Sequence, residues 1–195
     1  MTPTPTIKDA AQADRDKAID TIVLGFAADP MTRWLWRGSA DYLAAMPRFA
    51  RAFGGRAFDH STAFLADEGR AVALWLPPGV EPDDEAMAAV AQETAPPDLL
   101  EEMGGVLEAM ARYHPHEPHW YLPLIAADPA WIGRGLGAAL MKHALQKCDE
   151  DGVIAYLESS NPRNISLYER HGFEIIGEIQ SGSSPVLTPM LRRAR

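Results

Sequence analysis

Between Tyr121 and Leu140 an apolar run stops at Asp128-Pro129, turns through Gly133-Arg134-Gly135-Leu136-Gly137, and passes at once into a helical pattern. A strand that feeds a helix through a glycine loop constrains a fold strongly, because the strand must lie in a sheet and the helix must pack back upon it. It also makes a place to hold an anion. Glycines let the backbone approach a ligand, and the unpaired N–H groups of the helix's first turn point at it from the favourable end of the dipole. Arg134 adds a positive charge within the turn.

The surroundings of that unit set its class. At 195 residues and 47% apolar content the chain has enough material for one cored domain, with 1–61 as an N-terminal strand and helices before a core of about 62–195. No apolar run reaches the roughly 20 residues of a membrane span, and Met-Thr-Pro-Thr-Pro-Thr lacks the regions of a signal peptide, so no membrane partner is expected. One cysteine, Cys148, cannot form an internal disulfide, which favours a reducing cytoplasm. It lies on an apolar stripe with no organised base, as a small packing residue does. A formal charge of −9 disfavours nucleic acid and favours a small cationic partner.

Read in order, the chain predicts a short strand at Thr6–Lys8 and a helix over 12–28 ended by Asp29-Pro30. Trp34 and Trp36 follow, as core packing or as one wall of a pocket, and Ser39 then caps a helix to about Phe53. Thr62–Ala66 and Arg70–Leu76 flank the turn Asp67-Glu68-Gly69 as a hairpin. From Glu81 to Glu108 there are nine acidic residues and no lysine or arginine. They make the solvated face of two helices, Ala86–Val90 and Leu99–Met110, or an acidic lip for an ammonium ion. The His114 to His119 stretch, with its prolines, reads as a loop; its histidines and Glu117 lack metal-ligand spacing, although His119 or Glu117 could serve as a base. Gly135–Cys148 is a helix and Val153–Glu158 a strand, which together with the strand before the glycines form a right-handed parallel crossover. Asn161-Pro162 caps a helix ending at Gly172, Phe173–Gln180 and Val186–Leu191 are strands, and the residues from Arg192 form a basic tail.

Two separated motifs, Asp-Pro-x-x-x-Gly-Arg-Gly-Leu-Gly from Asp128 and Asn-Pro-Arg-Asn-Ile-Ser-Leu-Tyr-Glu-Arg-His-Gly-Phe from Asn161, together resemble the GNAT superfamily of N-acetyltransferases. The first is similar to its pyrophosphate loop and the second to its Asn, six residues, Tyr, then Gly-Phe signature. Ala-Val-Ala-Leu-Trp at Ala71, Glu-Pro-His-Trp at Glu117 and the residues from Tyr156 to Asn164 are similar to the puromycin N-acetyltransferase group. The resemblance implies an α/β fold with a mixed, mostly antiparallel sheet, a splayed parallel strand pair and flanking helices. It also implies acetyl-CoA as co-substrate, a small-molecule amine as acceptor, direct transfer and no metal, and it is compatible with a homodimer. A dinucleotide-binding loop is the rival reading of the glycines, since Glu158 falls near the place of an acidic ribose ligand.

By this resemblance Ile132, Gly133, Arg134, Gly135, Leu136, Gly137 and Asn161 hold the cofactor, together with the backbone of Ile125, Ala126 and Ala127. Ile132 departs from the usual glutamine or arginine. Small side chains at Ala126 and Ala127 suit close approach of a ligand, and suit strand packing equally. Tyr168 is the expected acid for the leaving thiolate, because a phenol stays protonated at neutral pH. Glu158 is the expected base, with Glu117, His119 or proton loss through water as alternatives. A non-catalytic acyl-CoA-binding module and an enzyme acting on a protein amine remain open beside the small-amine enzyme.

Overall fold

A computed structural model describes residues 4–195, so the first three residues of the stretch read as lacking a leader lie outside it. Seven strands form one sheet: β1 (Ile7–Asp9), β2 (Ala63–Ala66), β3 (Ala71–Leu76), β4 (His119–Ala127), β5 (Ile154–Ser159), β6 (Glu174–Ile175) and β7 (Thr188–Arg192). Their order is β1-β2-β3-β4-β5-β7-β6, and only β4 and β5 pair in parallel. The sheet is thus mixed, mostly antiparallel and flanked by helices.

The helices are α1 (Arg15–Gly25), α2 (Pro30–Leu35), α3 (Ser39–Gly54), α4 (Asp84–Thr94), α5 (Leu100–Tyr113), α6 (Leu136–Asp151) and α7 (Ile165–Arg170). On one face α1 and α3 cover Leu74, Leu76, Tyr121, Leu124, Ala126 and Tyr156; on the other α6 covers Trp75, Trp120, Leu122, Ala155 and Leu157. The alternation of β4 sorts its side chains between these two cores. Both tryptophans of the early pair are buried; the Trp36 indole N–H donates to Thr94 and that of Trp34 to Ser183.

Several local expectations are corrected. Asp29-Pro30 does more than stop a helix: the Asp29 carboxylate accepts from the Met31 and Thr32 N–H groups and opens α2, with Pro30 at its first position. Ser39 is not the cap of α3; Gly38 is, with no side-chain hydrogen bond, and the helix runs on through Pro47. The strand expected over 173–180 is only two residues long, followed by a single bridge from Ile179 to Leu187. At Gly177, between the Ile176 N–H bond to the Pro189 carbonyl and the Ile179 bridge to Leu187, a side chain would strike the Tyr113 ring, so the backbone lies close against α5 there.

Arg192 is not part of a solvated tail. It is 4% exposed, and its guanidinium donates to both carboxylate oxygens of Asp149 at 2.7 and 2.9 Å and to the His171 carbonyl at 3.0 Å. The same arginine holds the Asp149 carboxyl below the usual carboxylate range. This fork fastens the end of β7 to the end of α6. Removing one partner leaves a buried charge without its counterion, so Asp149→Ala should cost about 2–4 kcal/mol in urea unfolding. The double substitution Asp149→Leu with Arg192→Met should recover much of that loss.

Candidate active site

The site begins where β4 and β5 part. Their parallel register holds only for His119 with Ile154, Trp120 with Ala155 and Tyr121 with Tyr156. Beyond this point Leu122–Ala127 bonds only to β3, while β5 keeps β7 on its other edge and has no strand partner on its β4 side. Two local features force the separation. Leu122 and Pro123 together oppose the single residue Trp75, a bulge that bends β4, and Pro123 has no N–H to offer a neighbour. The N–H and C=O groups of Ile125 and Ala127 therefore face a gap on the β5 side, whereas those of Ala126, expected to be free as well, turn to Val72 of β3. Ala126 also has a packing reason to be small, because Gly25 of α1 lies so close that a side chain there would meet the Ala126 methyl at 2.8 Å and the Ala127 carbonyl at 2.9 Å.

At the open end of that gap is the glycine turn. Gly133 and Gly135 have φ of 79° and 80°, left-handed values that L side chains adopt at a cost, and both border open space. No side chain caps α6, so the N–H groups of its first turn face outward. Leu136 is buried beneath the turn, Gly137 sits against Leu167 of α7, and Ile132 is 69% exposed. Trp131 lies between two guanidinium groups, Arg70 at 3.6 Å and Arg134 at 4.4 Å from its ring centre. An uncapped helix start with a cationic border is chemically suited to a phosphate group.

Tyr168 and Glu158 fall on opposite faces of the sheet. Tyr168 is buried on the α6 side against Phe173, and its hydroxyl has no hydrogen-bond partner among the described residues. Burial and the nearby Asp29 carboxylate push its pKa well up, so it remains a proton donor at every physiological pH. Asn161 is not on the helical face of Tyr168, because a 3₁₀ turn at Pro162–Asn164 comes first; its side chain caps that turn through Arg163.

Glu158 lies on the α1 and α3 side, with a side chain 4% exposed. The Tyr121 hydroxyl donates to one of its oxygens at 2.7 Å, while the other, Oε1, is buried without a partner. No lysine or arginine pairs with it among the described residues. Burial without a cation raises its pKa from 4.5 to about 7, against the opposing effect of the Tyr121 and Tyr156 hydroxyls. A carboxyl poised there can accept a proton from an ammonium ion at neutral pH.

The structure brings His114, His119, Tyr121 and Tyr156 around Glu158 and keeps the Glu117 carboxyl at the surface. His119 belongs to β4, not to a loop. The sequence marks Asp29 only as a helix stop and His114 only as one histidine of a proline-broken loop, and it gives Tyr121 no role. Asp-Pro is a helix-start signal for Asp29, whereas the meeting of Tyr121 with Tyr156 and His114 follows from strand register, which no local pattern carries. Elsewhere, burial pushes the Cys148 thiol up to about 12, which leaves it unreactive. Among the described residues no group of three or more histidine, cysteine or acidic side chains is placed to hold a metal, and no helix is long and apolar enough to cross a membrane.

A carboxyl with a raised native pKa makes stability fall as pH rises. Below 4.5 both folded and unfolded chains hold the proton; between 4.5 and about 7 the unfolded chain alone releases it, and above that the loss is complete. Glu158→Gln removes the term. It should raise stability at pH 8 by about 1–3 kcal/mol and change it little at pH 4.5, as thermal melts of both proteins across pH will show.

The model of the acetyltransferase (GNAT) family matches residues 71–173, which contain the glycine turn, Glu158 and Tyr168. A solved structure from Corynebacterium glutamicum, of histone acetyltransferase HPA2 and related acetyltransferase, is 30% identical, with a TM-score of 0.67 over 99% of this chain and 98% of that one. Agmatine N-acetyltransferase (16% identity, TM-score 0.64, 98% and 100% of the two chains) and the Drosophila melanogaster polyamine N-acetyltransferase (16%, 0.60, 97% and 100%) share the fold. With the family model spanning more than half of its length, this chain belongs to the GNAT family of acetyltransferases.

Proposed function

We propose that the protein transfers an acetyl group from acetyl-CoA directly to the primary amine of a small molecule. The observation that carries this reading is Glu158, a buried carboxyl poised near 7 at the point where β4 and β5 separate. The glycine turn fits the co-substrate, since Gly133 and Gly135 border open space and the start of α6 is uncapped. Acetyl-CoA supplies the acetyl group as an activated thioester. Residues 132–137 hold its pyrophosphate through backbone N–H groups, with Arg134 and Asn161 beside them. The freed backbone of Ile125 and Ala127, on either side of the small Ala126, orients the reacting end and offers N–H groups to the developing oxyanion.

Amines of this kind arrive protonated, and an ammonium ion has no lone pair with which to attack. Glu158 removes that proton on the α1 and α3 side of the sheet. On the α6 side, Tyr168 gives its own proton to the departing thiolate, for which its unpartnered hydroxyl is suited. The gap in the sheet lets one transfer connect a base on one face with an acid on the other. The acidic residues of α4 and α5 draw a cationic acceptor toward the base. The acetyl acceptors named for the agmatine and polyamine enzymes are of this chemical class. The Corynebacterium relative favours a second reading, in which the amine belongs to a protein such as a histone.

Release of coenzyme A thiol, measured with acetyl-CoA and parallel panels of polyamines, arylalkylamines and lysine peptides, decides between these acceptors. Tyr168→Phe should lower kcat by roughly 10- to 1,000-fold with little change in KM for acetyl-CoA. In the intact enzyme kcat/KM should rise with pH through an apparent pKa of about 7, and Glu158→Gln should remove that limb. Calorimetric binding of acetyl-CoA with no product from any panel would show a binding module in place of an enzyme.

A further inference from the structure

A buried base must pass each proton on before it can act again, and Glu158 has little direct access to water. The groups around it are arranged in sequence. His119 Nδ1 lies 2.8 Å from the Glu117 carbonyl, an oxygen that can only accept, so the proton on His119 is at Nδ1 and its Nε2 carries a lone pair. His119 Nε2 is 3.0 Å from His114 Nε2, so His114 must donate there and leave its own Nδ1 unprotonated. That Nδ1 faces Glu158 Oε1 at 4.0 Å, the oxygen with no partner. One backbone carbonyl thus fixes the hydrogen positions of two rings and aims a free lone pair at the carboxyl. His114 reaches water itself, with a side chain 24% exposed. His119 beside it lines a cavity of about 380 Å³ formed with Pro78, Gly79, Glu81 and the 115–118 loop.

We infer that His114 is the exit for the proton collected by Glu158, and that His119 is a positioning residue that holds His114 in the receptive tautomer. The inference rests on the reading of Glu158 as base. The amine's N–H bond breaks and an O–H bond forms on Glu158. That proton then moves to His114 Nδ1 across the 4.0 Å separation, closed by a small carboxyl rotation or bridged by one water, giving a carboxylate and an imidazolium. The imidazolium gives a proton to water at the partly exposed edge of the ring, where Glu81 stands 4.0 Å from Nε2, and exchange with that water restores the starting tautomer while Glu158 is left in its charged form. No net oxidation or additional reactant is involved.

The charged and titratable groups around His114 suit a transient cation. Glu81 lies 4.0 Å from its Nε2, and with Asp84 it favours the imidazolium; His116 and His119 oppose it, and the Tyr121 and Tyr156 rings pack edge-on at 5.0 and 5.1 Å. Burial and the neighbouring histidines keep the His114 pKa below its ordinary value, so the proton is not retained.

The test is steady-state acetylation by the full chain carrying His114→Phe, which preserves the ring packing and removes both nitrogens. Far-ultraviolet circular dichroism and the melting temperature report whether it is folded, and His119→Gln is a second, milder variant. The expected result is a fall in kcat of about 10- to 100-fold for His114→Phe, an unchanged KM for acetyl-CoA, and recovery of several-fold on adding free imidazole. Nitrogen-15 histidine spectra of the intact protein should show Nε2–H on His114 and Nδ1–H on His119. A folded His114→Phe enzyme with undiminished kcat, or with a loss that imidazole does not relieve, overturns the exit role, as does the opposite tautomer on His114. Glu158→Gln separates the two claims. If it is inactive while His114→Phe is fully active, the base stands and the exit falls; if Glu158→Gln turns over normally, the base reading itself is wrong.

Discussion

Everything chemical in this molecule depends on β4 and β5 failing to stay paired. Three residue pairs of parallel register are enough to hold the strands at one end. A bulge at Leu122 and Pro123 then turns β4 away, and the sheet opens between its two hydrophobic cores. An intact ladder would have satisfied the same backbone groups and left a sheet with nothing to offer a ligand. In the proposed mechanism the same opening connects Tyr168 and Glu158, which lie on opposite faces.

Glu158 illustrates what a site of this kind costs the fold. A carboxyl taken out of water without a cation is destabilising when ionised, and the Tyr121 hydroxyl compensates only part of that penalty. The contrast with Asp149 is instructive, since the same functional group, met by the fork of Arg192, has its pKa lowered. One carboxylate is spent on holding the chain together. The other is kept without a counterion, and burial then raises its pKa to about 7.

Much of the frame could be read from the chain. The hairpin of β2 and β3, the crossover from β4 through α6 to β5, and the left-handed glycines before α6 all follow from local pattern and turn chemistry. The site was legible only in part. Glu158 and Tyr168 stand in recognisable positions, but the cluster of His114, His119 and Tyr121 arises from register between strands distant in sequence, which periodicity does not encode. The prolines flanking His114 to His119 suggested a loop and concealed that His119 starts a strand. Asp29 was seen as a stop because Asp-Pro ends one helix; that it opens the next while accepting from Ser160 required the tertiary structure. Arg192 looked solvated because a run of basic residues ordinarily is, and only its meeting with Asp149 across the sheet shows otherwise.

The position of β7 has a consequence for how the molecule assembles. It lies between β5 and β6, and β6 has no other strand to bond. The small core of Val106, Ile179 and Leu187, on which α5 rests, likewise needs the segment that leads into β7. The pairings of β7 close shorter loops than those of β1 with β2 or of β3 with β4, so the entropy of forming them is comparatively small. Helix α5 and β6 thus both hold their places through one five-residue strand and the segment that leads into it.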